Sequence, residues 1–257
     1  MIDIHCHILP GLDDGPRTMD EALAMARMAV GDGIHTLVAS THITPGVYEN
    51  SPDRIVAAAE AFGDRLNREG IPMRIIPGAE VHITPELVHG EGRCLRINRD
   101  TPYFLFELPH DLVPPGSERL AEALLGKGWV PVIPHPERNR ELQRRPEKLE
   151  PFVKMGCLVQ ITAMSLTGEF GPSAQTVAEQ FMKEGRAHLI ATDAHNTVKR
   201  PPILSRALRR AEALVGAEAA RAMVFETPEK IVNGSKVFRP SPGDSVTDPM
   251  RPREIGP

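Results

Sequence analysis

The chain opens with a strand pattern that runs into two histidines, because residues 2–16 read IDIHCHILPGLDDGP. Successive side chains of a strand point to opposite faces, so we expect His5 and His7 on one face and Cys6 on the other. Two imidazoles on one face are typical of a metal clamp. The acidic turn at residues 13–15 adds carboxylates to the same loop. This stretch predicts a first strand whose carboxyl end carries a metal site.

Outward from this stretch, short β-rich runs alternate with helical patterns, which is typical of βα units on a mainly parallel sheet. The predicted strands cover residues 1–5, 36–39, 74–80, 103–108, 130–134, 158–162 and 188–192. Thr18 is predicted to cap the first helix, and Ser51 followed by Pro52 is predicted to begin the second. A further helix, basic along one face, is predicted over residues 198–213.

Seven or so βα units fit either an open doubly wound sheet or a closed barrel related to the (β/α)8 form. No GxGxxG or GxxxxGK[ST] loop follows any predicted strand, which weakens the nucleotide-binding open sheet. We therefore predict an α/β barrel formed by a single domain over residues 1–234. Residues 235–257 hold five prolines and few apolar side chains, so we expect a flexible tail there.

Composition narrows the possible functions. No apolar run approaches the roughly 18 residues of a membrane span, so we expect no membrane insertion. The first residues have neither the basic segment nor the apolar core of a secretory signal peptide. This pattern predicts a cytoplasmic location. The three cysteines are far apart, which argues against a disulfide framework. The net charge of −4, without a Lys/Arg block, argues against a nucleic-acid partner.

Histidines and carboxylates recur where predicted strands end. An isolated His or Asp at such a position is usually a surface residue, but the carboxyl ends of barrel strands converge on one crevice. Imidazole and carboxylate ligands without thiolate favour zinc, iron or manganese. The candidate ligands are His5, His7, Asp14, His42, Glu80, Glu107, His135, Asp193 and His195. One ion cannot use them all, so two or three ions are expected, an arrangement suited to phosphoryl transfer.

Four strings carry a family resemblance: IDIHCHILPGLDDGP at residues 2–16, PGAEVHIT at 77–84, HPERN at 135–139 and TDAHNTVKRPP at 192–202. With them the chain resembles the polymerase and histidinol phosphatase (PHP) superfamily. Within it, the chain is most similar to the metal-dependent bacterial protein-tyrosine phosphatases of capsule and exopolysaccharide gene clusters. The HxH pair alone is shared with many amidohydrolases, whereas the DDGP turn with HPER and DAHN…RPP is specific to this branch.

The resemblance implies a distorted (β/α)7 TIM-like barrel with three divalent ions, Mn²⁺ first and Fe or Zn as alternatives. It assigns His5, His7 and Asp193 to one ion, with Glu107 bridging to a second ion held by Glu80 and His135. It assigns Asp14, His42 and His195 to the third ion, and Arg138 and Arg200 to the substrate phosphate. Three divalent ions would outweigh four carboxylates, and with two arginines they would favour a dianionic phosphomonoester.

The function implied is hydrolysis of phosphotyrosine on a protein by metal-activated hydroxide. The substrate would be the tyrosine-rich tail of a bacterial tyrosine autokinase that regulates capsule or exopolysaccharide synthesis. No CxxxxxR loop is present, so no cysteinyl-phosphate step is expected. Alternatives are a small-molecule phosphatase such as histidinol phosphatase, a nuclease, or a non-catalytic PHP interaction module. The complete ligand set argues against the last, and no pattern indicates the oligomeric state.

Neighbours of the candidate ligands receive supporting roles. Asp13 is expected to support a ligand or form the turn, and Asp3 is expected to orient a ligating histidine, since metal-bound imidazoles donate their second N–H. His82, two residues after Glu80, could face the same crevice. Residues 43–48 and 166–170 are the candidate contacts for the phenyl ring of a substrate.

Overall fold

Parallel strands in chain order form the sheet of this protein. The computed structural model describes residues 1–89 and 94–237, without the side chains of residues 88 and 89. Within these ranges seven strands make one sheet in the order β1 to β7, and every neighbouring pair is parallel. The strands are β1 (Ile2–Cys6), β2 (Thr36–Ile43), β3 (Arg74–His82), β4 (Tyr103–Glu107), β5 (Val130–Pro134), β6 (Leu158–Thr162) and β7 (Leu189–Ala191).

The sheet closes on itself at the carboxyl ends of β1 and β7. Cys6 forms an isolated parallel bridge with Ala194. The backbone N–H of Asp193 donates to the carbonyl of His5 at 2.8 Å. These contacts join the first strand to the segment that follows the last, so the predicted barrel is confirmed over the open sheet.

At the amino ends of the same two strands another segment fills the gap. The N–H of Ile2 donates to the carbonyl of Val224 at 2.9 Å, and the N–H of Ile190 donates to that of Met223 at 3.1 Å. The barrel is therefore closed directly at one end and through residues 223–224 at the other, and this irregular closure agrees with the distorted barrel that the resemblance implies.

Helices connect the strands and cover the barrel. They are α1 (Met19–Gly31), α2 (Pro52–Arg68), α3 (Ser117–Gly126), α4 (Arg140–Arg144), α5 (Glu150–Met155), α6 (Ala163–Thr167), α7 (Pro172–Lys183), α8 (Ser205–Val215), α9 (Ala217–Ala222) and α10 (Glu226–Val232). The side chain of Thr18 accepts from the N–H of Glu21, whose own side chain caps Thr18 in return. Ser51 caps α2 ahead of Pro52. Both predicted caps are confirmed.

The helix predicted over residues 198–213 is wrong at its amino end, because α8 begins only at Ser205. The Pro201-Pro202 pair lacks N–H donors and disfavours a helical conformation in the residue before it. The carbonyl of Arg200 instead accepts from the backbone N–H of His195 at 2.9 Å. The segment before Ser205 is therefore a loop, and this loop brings Arg200 back towards the barrel.

Aliphatic side chains fill the inside of the barrel. One buried cluster takes a side chain from every strand: Ile4, Val38, Ile76, Leu105, Val132, Leu158 and Leu189. Ile97, Ile231 and Val232 belong to the same cluster. A second, larger cluster packs the helices onto the outside of the strands. The interior is thus a packed core, and the polar side chains lie at its carboxyl end.

The last described residues are held against the barrel. Tyr103 donates its hydroxyl to the carbonyl of Ser235 at 2.8 Å and accepts from the N–H of Val237 at 3.1 Å. The rest of the predicted tail, residues 238–257, lies outside the described residues, so the boundary at residue 234 stays a prediction. None of the helices described combines the length and apolar character needed to cross a bilayer.

Candidate metal centre

All nine predicted ligands lie at the carboxyl end of the barrel. His5, His42, Glu80 and Glu107 belong to strands, and the other five follow a strand in its loop. Eight of the nine fall into three groups whose ligand atoms lie within 4.8 Å of one another. The ninth, His135, places Nε2 2.7 Å from Glu80 Oε1. The structure therefore brings together every side chain that the sequence nominates as a ligand.

The deepest group consists of His5, His7, Glu80 and Asp193. The Nε2 atoms of the two histidines lie 3.2 Å apart. Glu80 Oε2 is 3.2 Å from each of them, and Asp193 Oδ1 is 3.4 Å from each. All four side chains are buried. Two imidazole nitrogens and two carboxylate oxygens thus converge on one point.

A second group lies nearer the solvent and contains His7, Asp14, His42 and His195. Asp14 Oδ1 is 3.3 Å from His195 Nε2 and 3.6 Å from His42 Nε2. The Asp14 side chain is 46% exposed, whereas those of His42 and His195 are 14% and 4% exposed. This group therefore forms the open side of the centre.

The third group links His42, Glu80 and Glu107. His42 Nδ1 lies 3.3 Å from Glu80 Oε2 and 3.9 Å from Glu107 Oε2. Glu80 Oε1 faces His135, while its Oε2 faces the deepest group. Among the candidate ligands described, Glu80 thus contacts different histidines through its two oxygens, His135 through Oε1 and the histidines of the groups through Oε2.

Two of the ligand positions have a left-handed backbone. His135 has φ +38° and Asp193 has φ +54°, values that side-chain-bearing residues rarely adopt. Such conformations persist where the surroundings fix them, and they are common at functional sites. His135 directly follows the last residue of β5, and Asp193 lies two residues after the end of β7. In both cases the turn directs the side chain into the crevice.

Asp13 fulfils both supporting roles expected for it. Its Oδ2 lies 2.9 Å from His7 Nδ1 and accepts from the N–H of His42 at 3.1 Å. Its Oδ1 accepts from the N–H of Gly15 at 3.0 Å, which closes the turn. The Asp13 contact occupies His7 Nδ1, so the Nε2 lone pair is directed at the cluster.

The expectation for Asp3 is wrong in its detail. Asp3 accepts from the backbone N–H groups of His5 and Thr192, both at 3.1 Å, and does not contact the imidazole. The ring partner is Gln160, whose Oε1 lies 2.7 Å from His5 Nδ1. Gln160 is not among the residues predicted from the sequence. The available signal was a lone amide in the middle of the apolar strand β6.

Electrostatics at the centre follow from burial and close charges. Burial acts to raise the pKa of Glu80, but His5 and His135 outweigh it and hold that pKa well below its usual range. Burial acts to lower the pKa of His7, but Asp13 outweighs it and the pKa is raised well above the usual value. Burial, reinforced by His7, lowers the pKa of His195 to about 4. The His195 imidazole is therefore neutral near pH 7.

The two predicted phosphate-binding arginines lie beside the deepest group. Arg138 and Arg200 both donate to Asp193 Oδ2, the oxygen that faces away from the histidines. Their side chains are 15% and 23% exposed, so both remain accessible from the crevice. The Phe170 ring lies against them, 4.4 Å from Arg138 Cζ and 5.9 Å from Arg200 Cζ. Phe170 was expected near a substrate ring, and in the structure it supports the guanidiniums.

The donor set fits divalent metal ions. It consists of imidazole nitrogens and carboxylate oxygens, which suit borderline and hard cations. His42 Nδ1 is buried and has no hydrogen-bond partner, as expected of an atom that ligates a metal. Cys6 faces the other way, with Sγ 3.7 Å from the carbonyl of Ala194, so no thiol joins the set. The arrangement can hold cations beside an anion bound by two guanidiniums.

Comparison with known proteins agrees with this geometry. Residues 1–233 match the family described as "Capsular polysaccharide synthesis, CpsB/CapC". Tyrosine-protein phosphatase YwqE of Bacillus subtilis is 39% identical over 244 residues, covering 94% of this chain and 95% of that protein. Putative tyrosine-protein phosphatase CapC of Staphylococcus aureus is 30% identical over 205 residues, covering 79% of this chain and 80% of that protein.

A solved structure is equally similar. It was described among the crystal structures of YwqE from Bacillus subtilis and CpsB from Streptococcus pneumoniae, "unique metal-dependent tyrosine phosphatases". The superposition has a TM-score of 0.90 at 39% identity and covers 94% of this chain and 98% of that one. The barrel fold is therefore shared with a protein of that description.

Proposed function

The chain belongs to the CpsB/CapC family of capsular polysaccharide synthesis, and we propose that it is a metal-dependent protein-tyrosine phosphatase. It hydrolyses phosphotyrosine on protein substrates. The observation that carries this function is the convergence of nine histidine and carboxylate side chains beside two accessible arginines. A site of this composition binds cations and a phosphate together, and the fold alone would not specify that.

We assign three divalent ions to the centre, with Mn²⁺ as the first candidate and Fe or Zn as alternatives. His5, His7 and Asp193 would hold one ion, and Asp14, His42 and His195 would hold another. Glu107 and His135 would hold the third. Glu80 would be the carboxylate shared between ions, because its Oε1 faces His135 and its Oε2 faces His5. When bound, such ions supply Lewis acidity towards phosphate and acidify water.

The residues of the chain bind and orient the substrate. Arg138 and Arg200 receive the phosphate oxygens, since guanidinium forks match phosphate geometry. Asp193 accepts from both guanidiniums and Phe170 packs against them, so their positions are fixed before a substrate arrives. Preorganised donors of this kind stabilise charge that develops at phosphorus without a cost of reorganisation.

A cysteine nucleophile has no support among the three thiols. A reactive cysteine requires a lowered pKa. Burial raises the pKa of the Cys6 thiol well above its usual value and that of Cys94 to about 12. Cys157, the residue before β6, is fully buried. Direct hydrolysis by water, without a phosphoenzyme, is therefore the reaction we propose.

The physiological substrate we propose is the tyrosine-rich tail of a bacterial tyrosine autokinase, and its dephosphorylation would regulate capsule or exopolysaccharide synthesis. The family description and the names of the relatives support this choice. We propose a cytoplasmic location, because a tail phosphorylated from ATP is exposed there.

A comparison of four substrates tests the proposed function. The full chain is loaded with Mn²⁺ and offered a phosphotyrosine peptide, a phosphoserine peptide, histidinol phosphate and a single-stranded oligonucleotide. We expect the phosphotyrosine peptide to give the highest kcat/KM. Preference for histidinol phosphate or the oligonucleotide would refute the tyrosine phosphatase.

Metal dependence is tested with p-nitrophenyl phosphate. EDTA, His5→Ala and Asp193→Ala should each reduce turnover at least about 100-fold, since each removes ions or their deepest ligands. Re-addition of Mn²⁺ should restore only the wild type. Cys94→Ser is the matched control and should keep full turnover. Full activity after chelation with no bound metal by mass spectrometry would contradict the metal-dependent reaction.

A further inference from the structure

Three large apolar side chains are exposed in the part of the chain that the structure describes, and all three lie at the carboxyl end of the barrel. They are Val47, Leu112 and Val198, which are 67%, 45% and 83% exposed. They follow β2, β4 and β7, so they surround the metal centre from three directions. Single exposed apolar residues are ordinary on a protein surface. Their restriction to the loops around the metal centre is not explained by the fold.

Val47 lies at the tip of a tight hairpin. The N–H of Thr44 donates to the carbonyl of Tyr48 at 3.1 Å, and the N–H of Tyr48 donates back to Thr44 at 2.8 Å. Glu49 Oε1 accepts from the N–H of Gly46 at 2.6 Å. The hairpin therefore presents Val47 in one conformation, which reduces the ordering cost of a contact made there.

The same hairpin is attached to the metal centre. The Tyr48 ring stacks on His42, with 5.3 Å between ring centres and 6° between planes. The Asn50 amide donates to the carbonyls of His42 at 2.9 Å and Leu12 at 2.8 Å. A continuous path of contacts thus leads from a candidate ligand to the exposed Val47.

Asparagine side chains fix the other two loops in a similar way. Asn139, next to Arg138, donates from Nδ2 to the carbonyl of Leu112 at 3.1 Å. Asn196 Oδ1 accepts from the N–H of Val198 at 3.0 Å and from that of Arg200 at 3.2 Å. The backbone that carries each exposed side chain is therefore fixed by a residue that also contacts or adjoins a site residue.

We propose that Val47, Leu112 and Val198 form an apolar rim that binds the polypeptide on both sides of the phosphotyrosine. This inference rests on the proposed function and adds the substrate class, an extended segment with aliphatic or aromatic residues beside the phosphotyrosine. Neighbouring strands are about 4.8 Å apart, so loops after β2 and β4 start about 10 Å from each other. A ligand that contacts more than one rim residue is larger than a single phosphorylated side chain.

The test compares the wild type with the variant V47T/L112N/V198T, whose substitutions keep the approximate shape of each side chain. The Mn²⁺-loaded full chains are assayed on p-nitrophenyl phosphate and on two phosphotyrosine peptides, one with leucines flanking the phosphotyrosine and one with serines. For the variant we expect the ratio of kcat/KM on the leucine peptide to that on p-nitrophenyl phosphate to fall roughly tenfold, mainly through KM. The ratio for the serine peptide should fall less.

The matched control is D111S/K199S, which changes exposed polar neighbours of two rim residues and removes one charge of each sign. It should retain the wild-type preference for the leucine peptide. The rim is overturned if V47T/L112N/V198T keeps the wild-type ratios, or if the control loses the preference equally. Failure of the wild type to hydrolyse any phosphotyrosine peptide, with p-nitrophenyl phosphate still cleaved, would instead overturn the proposed function and the rim with it.

Discussion

Gln160→Leu should weaken metal binding at the deepest group without a comparable loss of stability. Gln160 Oε1 lies 2.7 Å from His5 Nδ1, and both side chains are fully buried. Leucine has a similar size but no acceptor, so the imidazole N–H would be left unpaired at a cost of about 1–3 kcal/mol. The ring could then carry its proton on Nε2, the atom that faces the cluster. Loss of such a partner typically costs about 10- to 100-fold in metal affinity.

The stability of the metal-free protein should respond less, because the substitution also removes a group that is already unsatisfied. Gln160 Nε2 is buried without a hydrogen-bond partner. Its removal offsets part of the cost of the lost acceptor. We therefore expect a large change in Mn²⁺ affinity and a small change in the melting temperature of the EDTA-treated chain.

Calorimetric titration of Mn²⁺ into the metal-free chain measures the effect, with kcat against Mn²⁺ concentration as a second readout. Thr162→Val is the matched control, since Thr162 Oγ1 on the same strand is buried without a partner. The control should bind Mn²⁺ like the wild type, and Gln160→Glu, which keeps an acceptor, should bind at least as tightly. Equal affinities for Gln160→Leu and Thr162→Val would refute the assigned role of the amide.

Further predictions concern the arginines, the acidic turn and pH. Phe170→Leu should raise KM for p-nitrophenyl phosphate a few-fold, with a smaller change in kcat. The substitution removes the ring that packs against the Arg138 guanidinium, a contact worth about 0.5–2 kcal/mol. An unchanged KM would contradict this. Gly15→Ala should destabilise the chain by about 1–3 kcal/mol in urea unfolding, since its Cβ would lie 2.3 Å from the carbonyl oxygen of His7. Gly63→Ala, within α2 and free of close contacts, should stabilise it by about 0.5–1 kcal/mol. In the metal-free chain, the raised pKa of His7 contributes stability that is present below about pH 6.5 and is lost as pH rises through that pKa. The melting temperature of the EDTA-treated chain should therefore fall by a few degrees between pH 6 and pH 9. The melting temperature of the Mn²⁺-loaded chain should fall less over the same range. An equal fall for both forms would argue against this role of His7.

Much of the barrel could be predicted from local sequence. Strand runs, helix caps and the absence of phosphate-binding glycine loops are short-range signals, and they identify the seven strands and the two capped helices. The helix predicted from residue 198 begins only at Ser205, because the Pro201-Pro202 pair supplies no N–H donors there. Contacts between distant residues could not be read in this way, since Gln160 and His5 are 155 positions apart.

Strand register explains why the sequence could not rank Glu80 and Glu107. Both follow the pattern of a carboxylate near a strand end, and the resemblance implied that Glu107 bridges two ions. In the sheet, Glu80 pairs with His42 on one side and Leu105 on the other, whereas Glu107 pairs with His82. Glu107 is thus one side-chain layer farther out, which accounts for its greater exposure, 14% against 1% for Glu80. The greater burial of Glu80 is the reason why we propose it, and not Glu107, as the carboxylate shared between ions.

His82 lies in the same outer layer as Glu107, with which it pairs in the sheet. His82 Nδ1 lies 3.3 Å from Glu107 Oε2, and this carboxylate raises the pKa of the imidazole. His82 therefore faces the outer edge of the crevice, as the sequence spacing allowed, but it contacts one ligand from outside the three groups. A histidine two residues beyond a ligand shares its face and occupies the next layer.

Charge balance connects the metal groups to the choice of substrate. The structure adds Asp13 to the four carboxylates among the ligands, and its buried oxygens make it part of the charge that the ions must offset. Two divalent ions and two guanidiniums would exceed five carboxylates only slightly, which suits a monoanion as well as a dianion. A third ion beside the exposed Asp14 would leave a clear positive excess next to Arg138 and Arg200. In the three-ion centre that we propose, the outer group would therefore be the part that favours a dianionic phosphomonoester.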